Sequence, residues 1–373
     1  MLRILHVLGG LSLGGAETMV MNLYRKIDRT KIQFDFVIHT EEHQEYYDEV
    51  LSLGGKIYSF PPFNGKNVLK LKNIWNTFFE SHREYKILHS HVRSYASLYI
   101  PIAKKYGLKT IIHSHSTSNG AGVASIVKRL MQYPLRFQAD YLMACSNEAG
   151  RWLYGEKACL KPNYLFLPNA IDTEKYRYSK ETAGEYRKKL GIENKFVIGH
   201  VGRFHEAKNH MFLLDVFAEV CAKRSDAMLL LVGDGNLREK IEEKIRALGL
   251  KNRVILTGNR RDVPQLLQAM DVFAFPSLWE GLPMTVVEAQ AAGLPCFVSD
   301  RVTKDVDTSE LIVRLPIDSP NEWADAILNS ALKRSDAIPN IKRAGFDVND
   351  AATHLAEFYC SIGGCDGKIY YET

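Results

Sequence analysis

Short apolar runs recur along this chain, separated by longer amphipathic stretches, and this alternation limits the fold more than any other feature. The first series reads RILHVL, QFDFVIHT, KIYSF, ILHSHV, TIIHSH, YLMACS and YLFLPNA. After a charged stretch over 178–194 a second series follows: KFVIGHVG, MLLLVGDG, RVILTG, DVFAFPS, PCFVSD and LIVRLPI. Runs that are apolar throughout belong to strands buried on both faces, the condition of a parallel sheet with helices on each side. The intervening stretches have helical spacing. ETMVMNLYRKI puts Met19, Val20, Leu23 and Ile27 on one face, HMFLLDVFAEVCAKR behaves likewise, and NLREKIEEKIRALGL is stopped by Gly249. Strand–helix alternation occurring twice predicts two doubly wound α/β domains. The length of 373 residues suits that count at roughly 100–200 residues per domain. Ligands of such sheets lie beyond the carboxyl ends of the strands, so the expected site is a cleft between the two domains.

A net charge of +5 is a mild excess. It fits an anionic ligand or an anionic membrane surface and does not call for nucleic acid. Cys145, Cys159, Cys221, Cys296, Cys360 and Cys365 form no C-x-x-C pair, and most lie in apolar runs. They read as buried thiols of a reducing compartment. The apolar run in MLRILHVLGG is too short for a signal peptide, and no stretch approaches the roughly 18 apolar residues of a spanning helix. The expectation is a cytoplasmic protein, peripheral at most to the inner face of the plasma membrane.

Several strand ends carry residues suited to a ligand. In GGLSLGGAET, Gly14 and Gly15 precede a helix expected from Ala16, a turn that lets backbone N–H groups approach a phosphate or sugar. It is not G-x-G-x-x-G, and no acid closes the second strand, so a dinucleotide site is not indicated. Two H-S-H triplets end two strands, His89–His91 and His113–His115. Residues two apart on a strand share a face, so each pair can aim at one ligand. A metal is the alternative use. No later His or Asp cluster completes a ligand set, so no metal is expected.

In the second half, VGRFHEAKNH places Gly202, Arg203 and Lys208 after a strand. Two cations at a helix start oppose its dipole, and an anionic partner such as a diphosphate accounts for them better. LLLVGDGNLR ends at Gly233, where glycine permits close backbone approach. TGNRRDVPQ supplies Gly258–Arg261, expected beside the motif that follows DVFAFPS. That motif is FPSLWEGLPMTVVEAQAAGLP. Pro283 suits the first helical position, leaving N–H groups of Leu282, Met284 and Thr285 for phosphate oxygens. Glu280 and Glu288 would repel that phosphate, so sugar hydroxyls are their expected partners.

In these residues the chain resembles glycosyltransferase family four, the retaining glycosyltransferases of the GT-B fold. The resemblance rests on Gly14-Gly15-Ala16-Glu17, the strand-end His115, PNAID at Pro168–Asp172, Arg203 with Lys208, and the Glu280/Glu288 pair. It extends over nearly the whole chain and is closest to members that build capsular or exopolysaccharide. It implies two Rossmann-like domains, 1–178 and 179–347, with a last helix in 348–373 crossing back onto the first. It also implies roles. Glu288 holds the nucleotide ribose and Glu280 the donor hexose. Arg203 and Lys208 neutralise the leaving diphosphate. Gly281, Leu282, Pro283, Met284 and Thr285 form the helix terminus that meets sugar and phosphate, and Gly15 approaches the diphosphate from the other domain. Gly202, Gly233 and Arg261 complete the donor side. His115, more than His113, matches the histidine near the reacting carbon. Glu17, His91, Arg93, His113 and Asn119 stand on the acceptor side. The implied chemistry needs no metal and no cofactor beyond the nucleotide-sugar co-substrate, for which a UDP-sugar is expected.

The expected acceptor is a glycan or lipid-linked oligosaccharide hydroxyl. An NDP-sugar epimerase of the same fold and a non-catalytic sugar-nucleotide binder are the alternatives. The segment 122–137 stays open between two readings. Val123, Ile126, Val127, Leu130 and Met131 recur at helical spacing beside Lys128, Arg129 and Arg136. They suit a core-facing helix with a solvated basic side, or a helix lying on an anionic membrane.

Overall fold

The computed structural model describes residues 1–116 and 123–364. All thirteen apolar runs form strands. In the first series these are β1 (Leu2–Val7), β2 (Ile32–Ile38), β3 (Ile57–Ser59), β4 (Ile87–Ser90), β5 (Lys109–Ser114), β6 (Tyr141–Ala144) and β7 (Tyr164–Phe166). They make one parallel sheet in the order β3-β2-β1-β4-β5-β6-β7. In the second series they are β8 (Phe196–Val201), β9 (Ala227–Val232), β10 (Val254–Leu256), β11 (Val272–Phe275), β12 (Cys296–Ser299) and β13 (Ile312–Leu315). Their order is β10-β9-β8-β11-β12-β13, again parallel. The central strands β2, β4, β11 and β12 are buried at every position, whereas the edge strands β3, β7, β10 and β13 are only partly covered. Continuous apolar sequence therefore marks the strands that have helices on both faces.

The chain divides into two compact units, Met1–Ala170 with Val348–Thr373, and Ile171–Asp347. The helix Val348–Gly363 belongs to the first unit, where Val348, Ala351, Ala352, Leu355 and Tyr359 join the apolar cluster of β1, β2 and the helix Gly15–Lys26. The seam falls eight residues before the boundary read from sequence at 178. Ile171 pairs with Asp347, and Thr173 hydrogen-bonds that same buried carboxylate. The short helix Thr173–Tyr176 is thereby fixed to the second unit.

Local signals explain most helix ends. Ser146, Ser179 and Ser319 cap the helices that follow them through their hydroxyls. Gly249 stands past the helix Arg238–Ala247 at φ 68°. Among the described residues no disulfide forms, and of the described cysteines Cys145 and Cys296 are buried. Cys159, Cys221 and Cys360 lie on half-covered surfaces, less enclosed than their apolar neighbours in sequence suggest. Among the described residues no helix is long and apolar enough to cross a membrane.

Candidate active site

In each sheet, consecutive crossovers run one way from the first strand and then the other way. The two reversals, β8/β11 and β1/β4, are the switch points where loops leave opposite sides and open a crevice. Many of the candidate residues follow these four strands, and others follow strands beside them.

In the second unit, the loop after β8 carries Gly202 and Arg203 and enters a short 3-10 turn, Glu206–Lys208. The loop after β11 carries Glu280 and leads into the helix Met284–Ala291. A backbone hydrogen bond from Leu278 N–H to the Ala207 carbonyl, 2.8 Å, ties the loops together. Lys208 Nζ lies 2.7 Å from Glu280 Oε1, and both side chains are mostly covered. The ammonium also stands 4.7 Å above the Phe275 ring, a second cation-stabilising contact. Arg203 is exposed.

The helix begins at Met284, so Pro283 is its N-cap, not its first helical residue; its ψ of 88° is not helical. The N-cap has no side-chain hydrogen bond, because proline offers no side-chain acceptor. Val286 N–H is already bonded to the Pro283 carbonyl at 3.0 Å, which leaves the terminus to the groups of Met284 and Thr285. Among the described residues, Thr285 Oγ1 and Ser277 Oγ are buried atoms without a hydrogen-bond partner. Unsatisfied buried hydroxyls beside an uncapped helix terminus are what a polar ligand would satisfy. Gly281 is exposed, and Leu282 is half-buried against the core of this unit.

Glu288 sits one turn further along the same helix. Burial pushes its carboxyl above the usual range, opposed by a hydrogen bond from the Tyr176 hydroxyl. Tyr176 was not singled out in the sequence. It lies four residues beyond the PNAID segment, and only the fold of Thr173–Tyr176 brings it to Glu288.

Gly233 is required where it stands. Its φ is 138°, and a Cβ there would fall 2.1 Å from the Gly202 carbonyl oxygen. Its N–H bonds the Gly258 carbonyl, 2.9 Å, so three strand ends meet backbone to backbone. Arg261, however, is not beside the Glu280 motif in the sheet. It follows β10, an edge strand separated from β11 by β9 and β8. Alternation along the chain does not reveal where the crossovers place each strand.

In the first unit, Gly14 is the N-cap of a helix that starts at Gly15, one residue before the expected start. Gly15 is exposed, and a Cβ built on it meets nothing within 4 Å. Glu17 lies in the first turn, its carboxyl raised by burial. The H-S-H pairs do share a face. Ring centroids of His89 and His91 are 4.5 Å apart, and those of His113 and His115 are 4.1 Å apart. His89 and His113 are fully buried, while His115 is partly exposed.

A fifth histidine joins them. His6 on β1 lies 3.0 Å from His91 through ring nitrogens, and His91 lies 2.8 Å from His115. The histidine that joins the two pairs comes before them in the chain, where an expectation about later clusters does not reach. His6, His89 and His91 form one triad, and His91, His113 and His115 another, with potential ligand atoms within 4.8 Å of one another. His6 was hidden because it occupies an otherwise apolar run. Burial lowers the proton affinity of all five, with His6 and His115 each pushed down to about 3. Arg93, whose Nη1 donates to the Ser116 carbonyl at 2.9 Å, adds a positive field against His115. Asn119 lies outside the described residues.

The helix Val123–Gln132 resolves part of its double reading. Ile126, Val127 and Leu130 are 62%, 51% and 69% exposed, as are Tyr133 and Phe137 just beyond it, so that stripe is not core. Met131 and Leu135 face the apolar interior instead. Arg136 is not a free surface cation. Its Nη2 donates to the Leu153 carbonyl, 3.0 Å, and its guanidinium stacks over Tyr133.

Two sequence profiles match the chain. Glycosyltransferase Family 4 covers residues 13–175 and Glycosyl transferases group 1 covers 195–331. A putative glycosyltransferase of Bacillus subtilis, EpsF, is 37% identical over 370 residues, spanning 96% of each chain. The capsular polysaccharide biosynthesis glycosyltransferase CapH of Staphylococcus aureus is 24% identical over 97% of this chain and 99% of its own. The crystal structure of Anabaena HepE in complex with UDP superposes with a TM-score of 0.77 at 20% identity, over 97% of this chain and 100% of that one. The fold is GT-B. The chain belongs to glycosyltransferase family four.

Proposed function

We propose that this protein moves a hexose from a nucleotide-diphosphate sugar, with uridine as the base, to a hydroxyl of a glycan or lipid-linked acceptor. The configuration at the anomeric carbon is retained, and the product is a cell-surface polysaccharide. The observation that carries this reading is the convergence of Lys208, Glu280 and the uncapped helix terminus at one switch point. The names of EpsF-like and CapH-like relatives, and the UDP in HepE, support the polymer and the base.

In this reading Glu288 grips the ribose diol and Tyr176 orients its carboxylate. The N–H groups of Met284 and Thr285 meet the phosphates. Negative charge grows on the diphosphate as the glycosidic bond breaks, and Arg203 and Lys208 stabilise it there. Glu280 takes a hexose hydroxyl and keeps Lys208 in place before the donor arrives. His115, the partly exposed member of its pair, accepts a hydroxyl of the substrate.

We further propose that the helix Val123–Gln132 rests on an anionic membrane, bringing the first unit to a lipid-linked acceptor. Its exposed Ile126, Val127 and Leu130 beside exposed Lys128 and Arg129 support that placement.

Thermal-shift screening of nucleotide sugars identifies the donor, because a ligand present at 100 times its Kd stabilises by about 2.7 kcal/mol. Product analysis then decides the reaction. Glycan bearing the sugar in unchanged anomeric configuration is expected. Free epimerised sugar nucleotide, or no product with any acceptor, would overturn it.

A further inference from the structure

Five histidines at three neighbouring strands, all but the partly exposed His115 buried, are joined in two strings. In one, the Tyr359 hydroxyl lies 2.5 Å from His89 Nδ1, and His89 Nε2 lies 3.3 Å from His113 Nδ1. In the other, His6 Nδ1 meets His91 Nε2 at 3.0 Å, and His91 Nδ1 meets His115 Nε2 at 2.8 Å. A neutral imidazole carries one N–H and one bare nitrogen. Three neutral rings joined end to end therefore cannot choose tautomers independently. All protons in the string point toward His6, or all point toward His115.

A metal ion is the competing use of the cluster. Both triads consist of neutral ligands alone, and the Arg93 guanidinium already acts on His115. Three neutral imidazoles can hold zinc, so what opposes a dication at the second triad is the positive field of Arg93, and the test below includes the metal.

We propose that His6 and His91 are positioning residues that hold His115 with its proton on Nε2, so that Nδ1 is a bare acceptor for a substrate hydroxyl. This rests on the reading that His115 touches substrate. The direction follows from the two ends of the string. At one end, among the described residues, His115 Nδ1 has no partner, while its Nε2 is engaged by His91, so Nδ1 is the ring nitrogen open to a substrate hydroxyl. At the other end, His6 Nε2 also has no partner among the described residues, and its ring lies 4.2 Å by centroids from Phe34, tilted 47° to it. Aromatic faces tolerate an N–H and repel a lone pair. His115 Nε2–H thus donates to His91 Nδ1, and His91 Nε2–H donates to His6 Nδ1. Among the described residues His89, His113 and Tyr359 also stand against these rings, and they form the other string.

The test uses selectively 15N-labelled histidine in the full-length protein, with ring-nitrogen shifts read for the wild type, His6→Asn and His6→Leu. Asn and Leu are close in size, but only Asn keeps an acceptor near the position of Nδ1. Wild type and His6→Asn should show His115 protonated on Nε2. In His6→Leu, His91 loses its acceptor and turns its proton toward His115, whose own proton then moves to Nδ1. Turnover in His6→Leu should fall about tenfold, the size of one neutral hydrogen bond, with KM for the donor unchanged and recovery in His6→Asn. His115 protonated on Nδ1 in the wild type, or identical shifts in Asn and Leu variants, would overturn the proposal. So would stoichiometric Zn²⁺ shifting together the ring nitrogens of His6, His89 and His91, or those of His91, His113 and His115. A tautomer inversion in His6→Leu with unchanged turnover would keep the string and instead remove His115 from contact with substrate.

Discussion

Lys208 and Glu280, on different loops of the second unit, hold each other at 2.7 Å because β8 and β11 are neighbours at the sheet's switch point. The pair explains how a lysine assigned to a diphosphate and a carboxylate assigned to a sugar occupy one place without a ligand. In the proposed reading each neutralises the other until the donor brings charge for Lys208 and hydroxyls for Glu280. The two should therefore respond differently to substitution. Glu280→Gln frees the ammonium, so a bare nucleotide diphosphate should bind as tightly as before or more tightly, while kcat falls about 100-fold. Lys208→Ala should lower kcat by a similar factor with a smaller change in KM. Calorimetry with the nucleotide and steady-state kinetics with the donor sugar separate these effects. Weaker nucleotide binding in Glu280→Gln would show that its carboxylate contacts the nucleotide directly.

Glu288 should show opposite effects on stability and binding. Burial raises its carboxyl pKa in the folded state, with the Tyr176 hydroxyl opposing the shift. For an acid raised on folding, the stabilising proton is fully present below the unfolded pKa and is lost as pH rises through the folded one. The ionised form of Glu288 is thus the one its surroundings disfavour in the free protein. Glu288→Gln should raise the melting temperature of the ligand-free protein by about 2 °C or more. The same change should weaken the nucleotide by about 1.5–3 kcal/mol, through loss of a charged hydrogen bond. A lower melting temperature would mean that Glu288 is held by a compensating cation.

The strands were legible in the sequence because burial on both faces leaves no polar positions, and all thirteen formed where apolar runs stood. The order of the strands was not legible. Nothing in TGNRRDVPQ says that β10 is an edge strand, so Arg261 was placed beside Glu280 when two strands intervene. His6 was missed for the converse reason: a single histidine in RILHVL looks like packing until β1 is seen beside β4. Tyr176 depended on a four-residue helix whose position is set by buried Asp347. The surface status of Ile126 and Leu130 could not be read either, since the same apolar spacing serves a core or a membrane.

The histidine cluster should make the first unit sensitive to acid. His6, His39, His89, His91, His113 and His115 all have proton affinities lowered by burial. A histidine lowered on folding contributes stability that is fully present above its unfolded pKa, near 6.5. That stability is lost as pH falls, because only the unfolded chain takes the proton. Each such group can contribute about 1.4 kcal/mol per pH unit to the slope below that value. In the second unit only His200 and His210 are described as lowered in this way. Hydrogen exchange between pH 7 and pH 5 should therefore show β1, β4 and β5 losing protection before β8, β9 and β11. Equal loss in both sheets would contradict the placement of these rings as buried and neutral.

The helix Val123–Gln132, proposed to rest on a membrane, offers the sharpest separation of charge from apolar area. Ile126, Val127, Leu130, Tyr133 and Phe137 are exposed, and the basic residues free to meet a surface are Lys128 and Arg129, since Arg136 is held by Leu153. Near an anionic surface each cation contributes about 1 kcal/mol, so the pair contributes roughly 30-fold in affinity. Sedimentation with vesicles containing anionic lipid should show binding that weakens in salt and on the double change Lys128→Gln, Arg129→Gln. The change Arg136→Gln should leave binding nearly intact and lower stability instead, because it removes the contact to Leu153. Ile126→Ser with Leu130→Ser should abolish binding at any salt while leaving transfer to a water-soluble acceptor unchanged. Binding that is indifferent to lipid charge, or that survives the two serines, would assign this face to a protein partner and detach the helix from the lipid-linked acceptor.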